Sequence, residues 1–206
     1  MTDEPMVYLL DDEPEMLKAL TRLLRAEGFQ VQGFSSARAF LGHAHQQGPA
    51  CLVLDVAMPY IDGLAVQERL HQINAELPIV FLTGHGDIPM SVRAMKAGAE
   101  NFLTKPVNAA ELLPAIRGAL QRAADRHSER EELAALRKRL ACLTPREREV
   151  LGHVIAGKMN KQIAADLGTG EQNIKVHRGR LMRKLGLRSV AELVRLAQRL
   201  GVPPAK

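Results

Sequence analysis

Five polar residues in the first half of the chain follow or end short apolar segments. They are Asp11, Asp12, Asp55, Thr83 and Lys105. A carboxylate at the end of an apolar segment is costly to bury, and several carboxylates together repel one another unless a cation neutralises them. A hard divalent cation with oxygen ligands is the natural compensation, and Mg²⁺, for which Mn²⁺ could substitute, fits an open site of this kind.

The same five residues have the composition of a phosphoryl-transfer site. Asp55 supplies a carboxylate nucleophile, Thr83 a hydroxyl donor and Lys105 an ammonium, all suited to developing phosphoryl charge. Taken alone, Asp55 is better explained as a helix cap or a turn residue at the end of a strand. The five positions taken together favour the phosphoryl site.

Apolar segments of strand length alternate with apolar patterns of helical spacing through this half of the chain. They predict the strands and helices that position the five residues. The predicted strands are Val7–Leu10, Phe29–Phe34, Cys51–Leu54, Ile79–Leu82 and Asn101–Thr104. Helical patterns separate and follow them at Met16–Leu24, Ala37–Leu41, Leu64–Ile73, Met90–Ala97 and Leu112–Leu120. Because the strands are apolar enough to be covered on both faces, we expect a doubly wound parallel α/β sheet of about five strands. Ligands of such sheets bind at the carboxyl ends of the strands.

Charge divides the chain into two parts. The formal net charge is −4 through residue 124 and +9 from residue 125 onward, within a total of +5. This split predicts two domains, the second with an anionic partner such as nucleic acid. Residues 121–142 contain no Gly or Pro and have too few heptads for a lasting coiled coil. We therefore predict domains at 1–123 and 143–206, joined by a helical linker at 124–142.

The last part of the chain is predicted to be helical throughout. Capping boxes at 144–147 and 189–192 open the first and last of four helices. Asn160 is expected to cap a short second helix, Lys161–Leu167, and the third is expected over Glu171–Leu185. Four helices joined by turns of a few residues predict an all-α helix-turn-helix domain.

Residues 6–123 resemble the receiver domain of bacterial two-component response regulators. The resemblance rests on DDE (11–13), LDVAMPYIDG (54–63), TGHGD (83–87) and KP (105–106). The segment 83–106 is especially similar to the FixJ/StyR branch. The resemblance implies a receiver, or flavodoxin-like, fold in which Asp55 accepts a phosphoryl group from a phosphohistidine of a partner sensor histidine kinase.

The resemblance also assigns the residues around Asp55. It implies that Asp12 and Asp55 bind Mg²⁺ directly, together with the main-chain carbonyl of Ala57, and that Asp11 acts through water. Lys105 is expected to hold a phosphoryl oxygen, and its bond to Pro106 is expected to be cis.

A switch pair follows from the same resemblance. When the phosphoryl group captures the Thr83 hydroxyl, the ring of Phe102 is expected to turn inward and the surface of the fourth helix and fifth strand to rearrange. Two positions depart from the branch. Ala57 replaces a side chain that is often long, and His85 lies two residues beyond Thr83. Both flank the path of water to phosphorus, so they are candidates for setting the lifetime of the phosphoryl group.

Residues 143–197 resemble the LuxR/FixJ-type helix-turn-helix over the whole module. The resemblance implies that 160–167 is the scaffold helix and that 171–185 is the recognition helix, which enters the major groove of DNA. The residues assigned to base edges are Lys175, Val176 and Gly179, and those assigned to phosphates are Lys161, His177, Arg178 and Arg183. Gly179 is a departure that weakens the helix by roughly 1 kcal/mol relative to Ala but permits close backbone approach.

Together these features predict a cytoplasmic, phosphorylation-controlled transcriptional regulator and not a turnover enzyme. Phosphorylation is expected to favour a homodimer that binds promoter DNA and contacts RNA polymerase. The N-terminal sequence MTDEPMVYLL lacks the basic region of a signal peptide, and no apolar run approaches the ~18 residues that span a membrane, so no membrane partner is expected. Cys51 and Cys142 are too few for a disulfide framework.

Two other classes of protein fit these residues less well. A haloacid-dehalogenase-type phosphatase uses similar residues but places its nucleophile on an early strand, followed closely by a second Asp that Asp55-Val-Ala lacks. A constitutive DNA-binding protein whose receiver only binds other proteins has no need of an intact phosphoryl site. The presence of all five residues argues against this second alternative.

Overall fold

The computed structural model describes residues 5–43, 48–73, 77–84 and 88–205. Within these residues the chain forms five strands and nine helices. Contacts between residues that are close in space group the chain into two compact units, Met1–Ser128 and Glu129–Lys206. No helix in the described part of the chain combines the length and the apolar character needed to cross a membrane.

The first unit contains the predicted parallel sheet. Its strands are β1 (Met6–Leu10), β2 (Gln30–Phe34), β3 (Ala50–Asp55), β4 (Ile79–Thr83) and β5 (Asn101–Thr104). They lie in the order β2-β1-β3-β4-β5, and every neighbouring pair is parallel. Because β1 lies between β2 and β3, the winding reverses there, and a crevice is expected at the carboxyl ends of these strands. The predicted fold class is confirmed.

Helices cover both faces of the sheet. They are α1 (Pro14–Ala26), α2 (Ala37–Leu41), α3 (Gly63–Gln72), α4 (Ile88–Lys96) and the first part of α5 (Ala109–Ala141). Alternate strand residues enter two separate cores, as Leu52 and Leu54 do on one face and Cys51 and Val53 on the other. Helix α4 begins two residues earlier than predicted because Pro89 in its first turn is compatible with a helix.

Helix α5 continues without a break through most of the predicted linker. It has 33 residues, and the division between the two units falls inside it, after Ser128. The helical character predicted for the linker is therefore confirmed, whereas domain limits at 123 and 143 stay a prediction.

The second unit contains α6 (Pro145–Ile155), α7 (Asn160–Asp166), α8 (Glu171–Leu185) and α9 (Val190–Leu200), in addition to the end of α5. Their apolar faces meet in one core, to which α6 contributes Val150 and Leu151, α7 Ile163, and α8 Ile174 and Leu181. This helical region completes the predicted architecture.

Local capping explains where the first and the last of these helices begin. At α6 the capping box is complete: the Thr144 hydroxyl accepts the Glu147 N–H (3.3 Å), and the Glu147 carboxylate accepts the Thr144 N–H (2.9 Å). At α9 the Ser189 hydroxyl accepts the Glu192 N–H (3.2 Å), while the Glu192 carboxylate accepts the N–H of Arg188 (2.8 Å). The carboxylate thus reaches one residue further back than a standard capping box requires.

The cap predicted for α7 was wrong. Asn160 is the first residue of the helix, and Met159 is the N-cap. The Met159 N–H is bound by the side-chain oxygen of Gln162 (2.8 Å), while the side-chain oxygen of Asn160 accepts a hydrogen bond from Arg178. A tertiary partner therefore uses the Asn160 oxygen that the sequence pattern assigned to the backbone.

Candidate functional site

The carboxyl edge of the sheet brings the predicted acids together. Strands β1 and β3 pair with Leu10 opposite Leu54, so that Asp11 and Asp55 follow at neighbouring positions. Both side chains are buried, at 2% and 3% exposure, while Asp12 is half-buried. Carboxylate oxygens of the three residues lie within 4.8 Å of one another.

Lys105 joins two of these carboxylates. Its Nζ donates to Asp11 Oδ2 at 2.8 Å and to Asp55 Oδ2 at 2.9 Å, and it lies 3.9 Å from the carboxylate of Glu13. Burial acts to lower the pKa of Lys105, but the hydrogen bonds and charges of Asp11 and Asp55 outweigh it and hold this pKa above its usual value. The lysine is therefore a fixed cation at the centre of the acidic cluster.

Main-chain N–H groups orient the remaining carboxylate oxygens. Asp11 Oδ1 accepts the N–H of Glu13 at 2.9 Å, and Asp55 Oδ1 accepts the N–H of Ala57 at 3.2 Å. Three carboxylates against one ammonium leave an excess of negative charge, and all the side-chain ligand atoms are oxygens. This donor set suits a hard divalent cation such as Mg²⁺.

The two remaining strands position the predicted switch residues. Thr83 ends β4 with its side chain buried, and its carbonyl accepts the N–H of Lys105 at 2.6 Å. Phe102 in β5 is half-buried, with its ring 6.1 Å from that of Phe81 between centroids. The bond from Lys105 to Pro106 is cis, as the resemblance implied.

The structure describes only one of the two residues that are candidates for setting the lifetime of the phosphoryl group. Ala57 is exposed in the segment after β3, next to Asp55. His85 lies outside the described residues.

In the second unit, the exposed side of α8 carries both charged and uncharged residues. Ile174, Leu181 and Leu185 are fully buried, as predicted from their spacing. The exposed residues among those assigned to DNA are Lys161, Lys175, Val176, Gly179 and Arg183. Within the part of the chain that the structure describes, no heavy atom other than those of its two neighbours and the helix's own nearby backbone lies within 4 Å of a Cβ built on Gly179, so its surface is open.

His177 and Arg178 are less accessible than the other predicted DNA contacts. Arg178 is half-buried, and its Nη1 donates to Asn160 Oδ1 at 2.5 Å, which joins α8 to the first turn of α7. His177 is also half-buried, and among the described residues its Nδ1 atom is buried without a hydrogen-bond partner. Their assignment to DNA phosphates stays a prediction.

Sequence reasoning missed an ion pair in the second unit between an exposed lysine and a buried glutamate. Lys184 Nζ lies 2.7 Å from Glu147 Oε2, and the glutamate side chain is almost fully buried. The hydrogen bond from Lys184 is the main reason why the pKa of Glu147 lies below its usual value. The capping pattern identified Glu147, but no local signal connects it to a lysine 37 residues away.

Comparison with known proteins gives one consistent result. Residues 7–117 match the response regulator receiver domain, and residues 141–197 match the bacterial regulatory proteins of the luxR family. The chain is 44% identical to the response regulator protein TodT of Pseudomonas putida, over 95% of this chain and 86% of that protein. It is 38% identical to the transcriptional regulatory protein FixJ of Azorhizobium caulinodans, over 100% and 97% of the two chains.

A solved structure agrees with these relatives. The structure of the response regulator StyR superimposes with a TM-score of 0.86 at 47% identity, covering 95% of this chain and 99% of that one. The relatives are transcriptional response regulators and not enzymes. The chain therefore belongs to the two-component response regulators that join a receiver domain to a LuxR-type helix-turn-helix domain and regulate transcription.

Proposed function

We propose that Asp55 accepts a phosphoryl group from a sensor histidine kinase and that the phosphorylated protein binds promoter DNA as a dimer. The observation that carries this proposal is the position of Lys105, whose ammonium contacts both Asp11 Oδ2 (2.8 Å) and Asp55 Oδ2 (2.9 Å). An ammonium held against the oxygen of a nucleophile is already placed to neutralise an incoming phosphoryl oxygen.

The residues of the site divide the transfer among them. A carboxylate oxygen of Asp55 attacks phosphorus while the P–N bond of the phosphohistidine breaks, and the departing imidazole keeps the electron pair and takes up a proton. Lys105 then exchanges a carboxylate oxygen for a phosphoryl oxygen, and the Thr83 hydroxyl donates to another. Mg²⁺, held by Asp12, Asp55 and the Ala57 carbonyl with Asp11 acting through water, would supply further neutralising charge. The acyl phosphate on Asp55 is a lasting modification with slow hydrolysis, so the protein does not turn over.

An exposed apolar stripe on α4 supports dimerisation of the receiver. Ile88, Val92 and Met95 are 79%, 43% and 47% exposed, and their spacing places them on one side of the helix. Exposed apolar residues grouped in this way are typical of protein–protein contacts. We assign this stripe to a second copy of the chain, recruited when Thr83 and Phe102 change position.

The second unit supports the DNA-binding part of the proposal. Lys175, Val176 and Gly179 are exposed on α8, as base-edge contacts require, and Lys161 and Arg183 are exposed cations suited to phosphates. Two such modules in a dimer bind two half-sites of a promoter. Bound at a promoter in the cytoplasm, the protein regulates transcription by RNA polymerase.

The proposal is tested by phosphorylating the full-length protein with acetyl phosphate and Mg²⁺. Labelling is measured on a phosphate-affinity gel, dimerisation by analytical ultracentrifugation, and DNA binding by selection of bound fragments from genomic DNA. Asp55→Asn should abolish labelling and the increases in dimerisation and DNA binding. Asp62→Asn is the matched control, because Asp62 is an exposed helix cap that asparagine can replace. Equal dimerisation and DNA binding by wild type and Asp55→Asn would instead identify a constitutive DNA-binding protein.

A further inference from the structure

The two ends of α4 are held very differently. Its first residue, Ile88, is exposed, and Met90 in the first turn is only partly buried against the core. The one fully buried residue of the helix, Ala94, lies in its last turn. Ala94 and the nearby Ala99 belong to the core that α3 and the sheet share. The closest packing of α4 is therefore at its C-terminal end, whereas its more weakly packed N-terminal end is the one that follows Thr83 in the chain.

A buried side chain from α3 strengthens this attachment. Gln67 is 1% exposed, and its Nε2 donates to the carbonyls of Ala97 at 3.0 Å and Ala94 at 3.3 Å. A primary amide nitrogen has two N–H donors, so both donors of Gln67 are used at the end of α4. The Ala94 carbonyl also accepts the N–H of Ala99 at 3.0 Å.

These contacts satisfy groups that a helix end leaves without partners inside the helix. The last four carbonyls of an α-helix have no intrahelical donor, and buried carbonyls need one from elsewhere. A buried amide that provides donors to two of these carbonyls resists both sliding and rotation of the helix end.

We propose that Gln67 is a positioning residue that fixes the C-terminal end of α4, so that phosphorylation of Asp55 tilts the helix about that end. The inference rests on the proposed function, in which the phosphoryl group recruits the Thr83 hydroxyl. A displacement that begins near Thr83 moves Ile88 most and Met95 least. Gln67 thereby turns a local change at the phosphoryl site into a defined reorientation of the apolar stripe on α4.

The test compares methyl NMR shifts at the two ends of α4 in the full-length protein, at a concentration at which ultracentrifugation shows the activated protein to be a monomer. Contacts of the apolar stripe with a second copy then do not contribute to the shifts. Beryllium fluoride with Mg²⁺ serves as the activating probe. In wild type the probe should shift the Ile88 δ-methyl resonance at least about threefold more than the Met95 ε-methyl resonance. In Gln67→Met, which keeps the side-chain length but removes both donors, the two shifts should become comparable. The matched control Gln72→Met alters an exposed residue of the same helix and should preserve the difference.

A general loss of stability would not equalise the two ends, so this ratio separates positioning from a merely structural role. A wild-type difference that persists in Gln67→Met overturns the inference while leaving the proposed function intact. A wild-type protein in which neither methyl responds to the probe overturns the proposed function, and the inference with it.

Hydrogen exchange in the wild-type protein, at the same monomeric concentration, gives a second test that needs no variant. The probe should change the exchange rates of the Val92 and Arg93 amides, while those of Ala97 and Ala99 should change less than about twofold. Equal changes at both ends of α4 would overturn the inference even if Gln67→Met failed to fold.

Discussion

At the scale of single residues, Lys105 determines how the negative charge of the acidic cluster is neutralised. Its ammonium lies within 2.9 Å of carboxylate oxygens from two strands, Asp11 after β1 and Asp55 at the end of β3. Any divalent cation must share these carboxylates with the lysine. The same contacts that stabilise the buried acids therefore weaken the metal site.

Replacing Lys105 with Gln should raise the affinity for Mg²⁺ and lower the rate of phosphorylation. Removal of a competing positive charge should strengthen Mg²⁺ binding about tenfold, or ~1.4 kcal/mol. Loss of the phosphoryl-oxygen ligand should slow labelling by acetyl phosphate. Titration calorimetry measures the first effect, and Lys96→Gln, on an exposed lysine at the end of α4, is the control. Unchanged Mg²⁺ affinity in Lys105→Gln would show that Lys105 does not compete with Mg²⁺ for the carboxylates.

Tyr60 is a second residue with an unusual local environment. It has φ = 70° and is fully exposed, so nothing in its side-chain packing offsets a left-handed backbone. Tyr60→Gly should stabilise the receiver by about 0.5–1 kcal/mol, since glycine adopts this conformation freely but loses more entropy on folding. Tyr60→Ala keeps the strain and should give no gain in urea denaturation. Equal stabilities for the glycine and alanine variants would show that the left-handed backbone at Tyr60 is not strained.

At the scale of elements, the second unit depends on contacts that join helix ends. The Glu147 carboxylate caps α6 through the Thr144 N–H and also binds Lys184 of α8. In the same way, the Asn160 side chain holds Arg178 of α8 against α7. Residues that a local pattern assigns to capping or to DNA thus set the packing of the helix-turn-helix.

Glu147→Gln should destabilise the second unit by about 2 kcal/mol, because it removes the charge of a buried carboxylate that is hydrogen-bonded to Lys184. The pKa of Glu147 lies below its ordinary value of 4.5, so its stabilising effect is present above about pH 4.5 and is lost as the pH falls. The difference between wild type and variant should accordingly shrink below that pH. Urea denaturation followed by amide NMR signals of α6 and α8 measures it. Glu149→Gln, on an exposed acid of the same helix, should cost much less.

At the scale of the whole molecule, charge and exposed apolar surface separate the roles of the two units. Residues 1–124 carry a net charge of −4 and residues 125–206 one of +9, which suits the proposed phosphoryl acceptor and a DNA-binding module respectively. The apolar stripe of α4 adds a surface through which two receivers are expected to associate.

Val92→Asp should leave phosphorylation intact and prevent phosphorylation-dependent dimerisation. An unpaired carboxylate buried between two receivers costs several kcal/mol, so the dissociation constant should rise at least about 100-fold. Ultracentrifugation of the labelled protein measures this change. Ile73→Asp alters another exposed apolar residue of the receiver and should dimerise as wild type does. Dimerisation of labelled Val92→Asp at wild-type strength would place the interface elsewhere.

The sequence by itself determined the strands, the helices and the identity of the acidic cluster. This was possible because alternating apolar periods and capping residues are local signals, and because parallel strands bring their carboxyl ends to one edge. The residues Asp11, Asp55 and Lys105 were predicted together for that reason, and they are in contact.

Only the tertiary structure decided the partners that lie far apart in sequence. Gln67 with the end of α4, Glu147 with Lys184, and Asn160 with Arg178 depend on how helices pack, and no periodic pattern encodes such pairs. A side chain that satisfies a local rule is free to bind a distant group instead when packing brings that group within reach. For this reason the proximity of the acidic residues and Lys105 was predictable from sequence, whereas the contacts that hold α4 and the helix-turn-helix in position were not.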